Sequence, residues 1–243
     1  MTLHQVPVAN KDKVIIVGAG IGGLASSLRL SHLGYDVKVI ERANGAGGKL
    51  RTITGSTGEI DIGPTVLTLL PIFQKLFKSV GEDIFEHVDL VRQKIIARHW
   101  WPDGTSLDLH DDFETSRDAI MKFSGSSSAI EFEKYFCDTR DLFACFDLPV
   151  MQNPRPSILD MNRAVLSNPK ILPKMHPLRT LSSLLNYKFQ DIRLRQLFGR
   201  YATYVGGSPL ESPALLSLVW QAEAQGVWSI KGGMRKLARV IEQ

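Results

Sequence analysis

The chain has 243 residues, 44% of them hydrophobic, and a formal net charge of +4. That balance excludes a disordered or collagen-like chain and supplies enough apolar residues for a real core. No apolar run reaches the length of about eighteen residues that a membrane-spanning helix needs, and no metal-ligand or CxxC spacing occurs, so no metal site is expected.

The opening segment, MTLHQVPVANKDK, lacks the apolar centre of a signal peptide, so the chain is expected to begin in the cytoplasm. Val14-Ile15-Ile16-Val17 is β-branched and apolar and reads as a fully buried parallel strand. Gly18, Gly20 and Gly23 then fill a GxGxxG pattern, with Ala19 and Gly22 between them. Leucines recur at helical spacing from Leu24, Gly34 is placed to stop that helix, and Asp36 to Ile40 is a second strand ending at Glu41. This is a complete βαβ unit. Gly18 allows a tight turn, Gly20 lets backbone approach a pyrophosphate, and Gly23 lets helix and strand pack. The helix N-terminus offers free N–H groups to phosphate. Glu41 is placed to accept hydrogen bonds from ribose hydroxyls, and its charge argues against a 2′-phosphate and hence against NADP.

Two further stretches carry a resemblance. ERANGAGGKLRT supplies Glu41, Arg42, Gly47, Gly48 and Lys49; GEIDIGPTVL supplies Asp61, Gly63, Pro64 and Thr65. Both resemble signatures of the FAD-containing amine oxidase and phytoene desaturase superfamily. ARHWWPDG, RYATYVGGSPLESPALLSL and GVWSIKGGMRKLARVIE resemble later landmarks of carotenoid desaturases. The combination looks most like the branch acting on acyclic 1-hydroxy- or 1-methoxycarotenoids, the hydroxyneurosporene and methoxyneurosporene desaturases. The resemblance implies FAD as cofactor, an acyclic carotenoid as substrate, and hydride transfer to the flavin. It implies an α/β architecture: a Rossmann-like FAD-binding domain, here incomplete, with an α+β substrate domain. Members of the family are longer, and this chain stops inside the helix after Gly232, Gly233 and Leu237. It therefore reads as an N-terminal half. Two alternatives stay open: another FAD amine oxidase-like flavoenzyme, or a non-catalytic truncated remnant.

The expected division is residues 1–75 for the FAD-binding segment, 76–225 for a substrate- and membrane-facing domain, and 226–243 for the start of the return to the first. Within it, helices are expected after Pro71, over 112–122, 129–146 and 181–204. A hairpin over 91–109 turns at Asp103-Gly104, and SGSSS (residues 124–128) forms a turn. Residues 152–180 carry five prolines and should be short helices broken by turns.

From Arg163 to Arg200 there are eight Lys or Arg and one acid, Asp191, interleaved with apolar residues. This suggests peripheral contact with the inner face of a membrane. No nucleic-acid motif is present. Cys137 and Cys145 are expected to be reduced, and His4, His32, His87, His99, His110 and His176 to be structural or exposed. Asp111-Asp112 reads as a helix start and Trp100-Trp101 as core or pocket wall, core being favoured; Tyr201 and Tyr204 are candidates to line a polyene passage. No residue is identified as a catalytic base, and Glu59 and Asp61 read equally well as a strand edge. The oligomeric state is not legible.

Overall fold

In a computed structural model that describes residues 12–243, the first apolar run forms β1 (Lys13–Val17). Helix α1 (Ile21–His32) follows, and β2 (Asp36–Ile40) pairs with β1 in parallel, Val14 opposite Val37 and Val17 opposite Ile40. The expected βαβ unit is present, but β1 is not fully buried. Ile16 packs toward α1, whereas Ile15 and Val17 are 63% and 84% exposed. A parallel strand is buried only when both faces are covered, and here one is. His4 lies outside the described residues.

The chain continues through an antiparallel hairpin, β3 (Thr52–Gly55) with β4 (Gly58–Asp61). Helix α2 (Leu70–Lys78) carries Pro71 in its first turn, where the missing N–H costs nothing, and buries Leu70 and Phe77. A single turn, α3 (Ile84–His87), leads to β5 (Leu90–Arg92).

A separate compact unit spans Lys94–Gly226. Its hairpin, β6 (Ile95–Trp100) with β7 (Ser106–His110), turns at Asp103-Gly104 as expected but starts at Ile95 rather than at residue 91, because Val91 belongs to β5. Because side chains alternate across a strand, Trp101 is buried while Trp100 is 70% exposed, so only one of the two tryptophans belongs to the core. Asp112 caps α4 (Phe113–Ser124) by accepting from the Thr115 N–H at 2.8 Å. The expected SGSSS turn is only Gly125. The serines after it already belong to α5 (Ser126–Phe146), which carries both cysteines as free thiols. A wide helical turn over 147–151, α6 (Ile158–Ser167) with a Ser157/Asp160 capping box, and α7 (Leu172–Met175) follow. The single helix expected over 181–204 is two: α8 (Leu181–Lys188) and α9 (Ile192–Gly199). Asp191 accepts from the Arg193 N–H at 2.8 Å and starts the second. The short α10 (Gln221–Ala224) ends the unit. Its core is aromatic: Phe132, Tyr135, Phe189, Phe198 and Trp220 pack with ring centroids 4.8–6.2 Å apart.

The chain then rejoins the first unit. Strand β8 (Trp228–Ile230) pairs antiparallel with β5, and α11 (Arg235–Glu242) buries Leu237, Ala238 and Ile241 beside Leu24, Leu67, Leu70 and Phe77. The first unit therefore runs to Gln93 and resumes at Val227, so the end of α2, all of α3 and β5 lie within it, where the expected division at residue 75 cuts through α2.

Candidate dinucleotide-binding site

The site is built from two glycine turns that pack on each other. Leaving β1, the chain turns at Gly18, whose N–H bonds the Ile40 carbonyl at 2.7 Å and ties the loop to the end of β2. Gly23 sits where α1 meets that loop. A Cβ there would lie 2.0 Å from the Gly18 carbonyl oxygen and 3.4 Å from Ile16 Cγ2. The second turn, Gly47-Gly48, is stitched to the first by the Gly47 N–H on the Ala19 carbonyl at 2.8 Å. A Cβ on Gly48 would lie 2.8 Å from Gly20 Cα. Gly48 and Gly63 thus have intramolecular reasons to be glycine, since a Cβ at Gly63 would sit 1.9 Å from the Lys49 carbonyl. Gly20 and Gly22 do not: the nearest atom to a Cβ at Gly20 is 3.9 Å away, and nothing lies within 4 Å at Gly22. Their bare surface is space left open at the N-terminus of α1, where backbone N–H groups are free of intrahelical partners.

Glu41 organises the same loop. One carboxylate oxygen accepts from the Ala19 N–H at 2.7 Å and the other from the Ala43 N–H at 2.9 Å. These bonds, the Ala19 one foremost, hold its carboxyl below the usual range and keep it ionised. A carboxylate has about four acceptor positions, so two remain for hydroxyl donors.

Beside this lies a cavity of about 440 Å³ lined by residues 41–46, 48–52, Ile62 and Arg235. Of the sequence-derived candidates it gathers Glu41, Arg42, Gly48 and Lys49. Gly18, Ala19, Gly20, Gly22 and Gly23 form the adjoining loop and helix start. Gly63, Pro64 and Thr65 lie after β4, exposed and off the cavity lining. Sequence reading missed Arg51 and Arg235. Arg51 lies within ERANGAGGKLRT, two residues beyond Lys49, and Arg235 reaches the cavity only because α11 folds back into the first unit.

The second unit holds a polar cluster with no motif to announce it. The buried Glu223 carboxylate accepts from Tyr201 Oη at 2.7 Å, from Arg200 Nη2 at 2.5 Å, and from Tyr204 Oη. Tyr201 is fully buried and spends its hydroxyl on Glu223, so it lines no open passage. The basic segment divides in two. Lys174 and Lys188 are paired with Asp138, and Lys174 also with Asp141; Arg193 pairs with Asp191 and Arg200 with Glu223. Leucines of α8 and α9 are core, while Leu166, Leu172 and Leu178 point outward.

A parallel βαβ unit with a glycine turn at the helix start and a carboxylate at the end of the second strand is the architecture of a Rossmann-like domain. The family profile of the NAD(P)-binding Rossmann-like domain matches residues 16–82. Over nearly all of its length the chain is similar to hydroxyneurosporene desaturases. It is 45% identical to that of Cereibacter sphaeroides across 94% of this chain and 46% of the relative. It is 43% identical to that of Rhodobacter capsulatus across 96% and 48%. The chain thus spans about half the length of these relatives. Among solved structures, a putrescine oxidase bound to putrescine shares the fold: TM-score 0.61 at 17% identity, over 96% of this chain and 48% of that one.

Proposed function

We propose that this chain is the nucleotide-binding half of a flavin-dependent oxidoreductase that desaturates an acyclic 1-hydroxy- or 1-methoxycarotenoid, with FAD as its cofactor. The likeness to hydroxyneurosporene desaturases across 94% of the chain carries this reading. The residues present fit the adenosine diphosphate end of FAD. Gly20 and Gly22 leave backbone bare at a helix N-terminus, Glu41 keeps acceptor positions for ribose hydroxyls, and Arg42 and Lys49 line the adjoining cavity. Bound FAD would supply the acceptor for the hydride that leaves the polyene. The protein's own part is positional. Glu41 fixes the Ala19 loop through its two backbone bonds, and the Gly20–Gly48 contact locks the two turns at one spacing.

The open face of β1 and β2 supports the half-enzyme reading, since Ile15, Val17 and Ile40 are 63%, 84% and 47% exposed on it. No helix among the described residues is long and apolar enough to cross a membrane. Peripheral contact through residues 163–200 is supported by Leu166, Leu172 and Leu178 standing exposed among Arg163, Lys170 and Arg179.

The test is anaerobic. The reading frame carrying this chain is expressed to its natural stop, loaded with FAD and mixed with an acyclic 1-hydroxycarotenoid. Bleaching of flavin absorbance with a red-shifted carotenoid product is expected. Bound FAD that bleaches with an amine and leaves the carotenoid unchanged would overturn the proposal.

A further inference from the structure

The cavity beside the glycine turns carries an excess of positive charge. Arg42, Lys49, Arg51 and Arg235 line it, and Glu41 is the one carboxylate in its wall. Glu41 already accepts from two backbone N–H groups. No carboxylate lies within 4.0 Å of any of the four cations among the described residues. Four like charges around one small space repel one another, and a bound anion relieves that repulsion.

Arg235 is held there by construction. The Asp61 carboxylate at the end of β4 accepts from the Met234 N–H at 3.0 Å. It sits so close to Gly233 that a Cβ there would lie 3.1 Å from it. This pins the first turn of α11 to β4. The next side chain, Arg235, donates to Thr52 Oγ1 at 3.3 Å, with its other terminal nitrogen beside Gly45. The cavity wall includes Gly48, which packs on Gly20 at the start of α1.

Resting on the dinucleotide reading above, we infer that Arg235, brought back by the last helix, is a ligand of the cofactor's diphosphate and completes a cationic cleft with Arg42, Lys49 and Arg51. A planar guanidinium can take two phosphate oxygens at once, whereas Lys49 gives only a point charge. The cleft therefore recognises a diphosphate rather than a nucleoside or a ring system.

The test titrates the chain, kept in solution by an N-terminal solubility fusion, with ADP, adenosine, FAD and riboflavin by calorimetry. Arg235→Gln keeps a donor for Thr52 and removes the charge. It is expected to weaken ADP and FAD by about tenfold, the value of one charge-assisted contact, and to leave adenosine and riboflavin unchanged. Arg235→Lys recovers part of the loss. Arg239→Ala, which removes an exposed cation from the same helix, changes none of the four. The inference is overturned if Arg235→Gln binds ADP as tightly as the parent, if adenosine weakens as much as ADP, or if the parent does not prefer ADP to adenosine. A parent that prefers ADP to adenosine but binds FAD no better than NAD would keep the cleft and sink the flavin reading. A parent that binds FAD and is indifferent to Arg235→Gln does the reverse.

Discussion

Gly23→Ala tests whether the βαβ unit is assembled as described. The added methyl would start 2.0 Å from the Gly18 carbonyl oxygen, 3.2 Å from its carbon and 3.4 Å from Ile16 Cγ2. Two of these neighbours are backbone, so no rotamer relieves the clash. α1 must retreat from β1 by about 1 Å, which strains the Gly18–Ile40 hydrogen bond and opens the packing against Ile16. Overpacking of this kind costs about 3 kcal/mol, the upper part of its usual range. For a chain of this size that lowers Tm by about 6–12 °C. The paired control is Gly22→Ala, one residue earlier on the same helix, where nothing lies within 4 Å. Replacing glycine by alanine inside a helix stabilises by about 0.5–1 kcal/mol, so Gly22→Ala should raise Tm by about 1–4 °C. Circular dichroism melts of the two variants decide the matter. Equal melting temperatures would refute the packing described at Gly23.

Asp191 is predicted to stabilise the second unit in a pH-dependent way. Arg193 foremost, and Ser124, hold its carboxyl down to about 2, from an ordinary value of 3.8. A depressed carboxylate contributes above its unfolded value and loses that contribution as pH falls through the folded one. Asp191→Asn should therefore cost about 2 kcal/mol at neutral pH and much less near pH 2, read by urea melts at both. Thr139→Val removes the hydroxyl that accepts from Trp220 Nε1 at 2.8 Å and Gln221 Nε2 at 2.9 Å. The buried Trp220 N–H is stranded, while Gln221 Nε2 keeps the Phe136 carbonyl at 3.3 Å; a loss of about 1–3 kcal/mol should appear in denaturant melts followed by tryptophan fluorescence, and no loss would show that water replaces the hydroxyl. Ile15→Lys, on the uncovered sheet face, should leave the melting temperature within about 2 °C and raise the soluble fraction on expression, because surface changes rarely move stability.

What the sequence disclosed follows the range of the interactions involved. The GxGxxG turn, its helix and Glu41 lie within one local unit, and the physics of each is contained in neighbouring residues. The Asp112 cap and the Asp103-Gly104 turn were legible for the same reason. The β5–β8 pair was not, because Val91 meets Ser229 across most of the chain and three-residue strands carry no period. Arg235 was invisible for that reason too. The break between α8 and α9 was hidden because Leu181 to Tyr204 stays apolar at helical spacing through Phe189, and only the Asp191 cap divides it. Charge misled in a different way. The run of cations from Arg163 to Arg200 reads as a surface, yet Lys174, Lys188, Arg193 and Arg200 are committed to carboxylates, three of them brought in from outside the run.

The reading of β1 as fully buried differs from the structure and still carries information. Its sequence is apolar at every position from Val14 to Val17, on both faces, while α1 covers only one. An isolated strand designed for one wet face would alternate. Ile15, Val17 and Ile40 together leave about two side chains' worth of apolar surface in water, and burying it is worth about 3–6 kcal/mol. That is a large fraction of the stability a domain has to spare. The same residues that make the dinucleotide motif recognisable therefore specify a second covering layer. Whatever packs on that face gains this free energy on contact, and a chain left without it directs the same free energy into self-association.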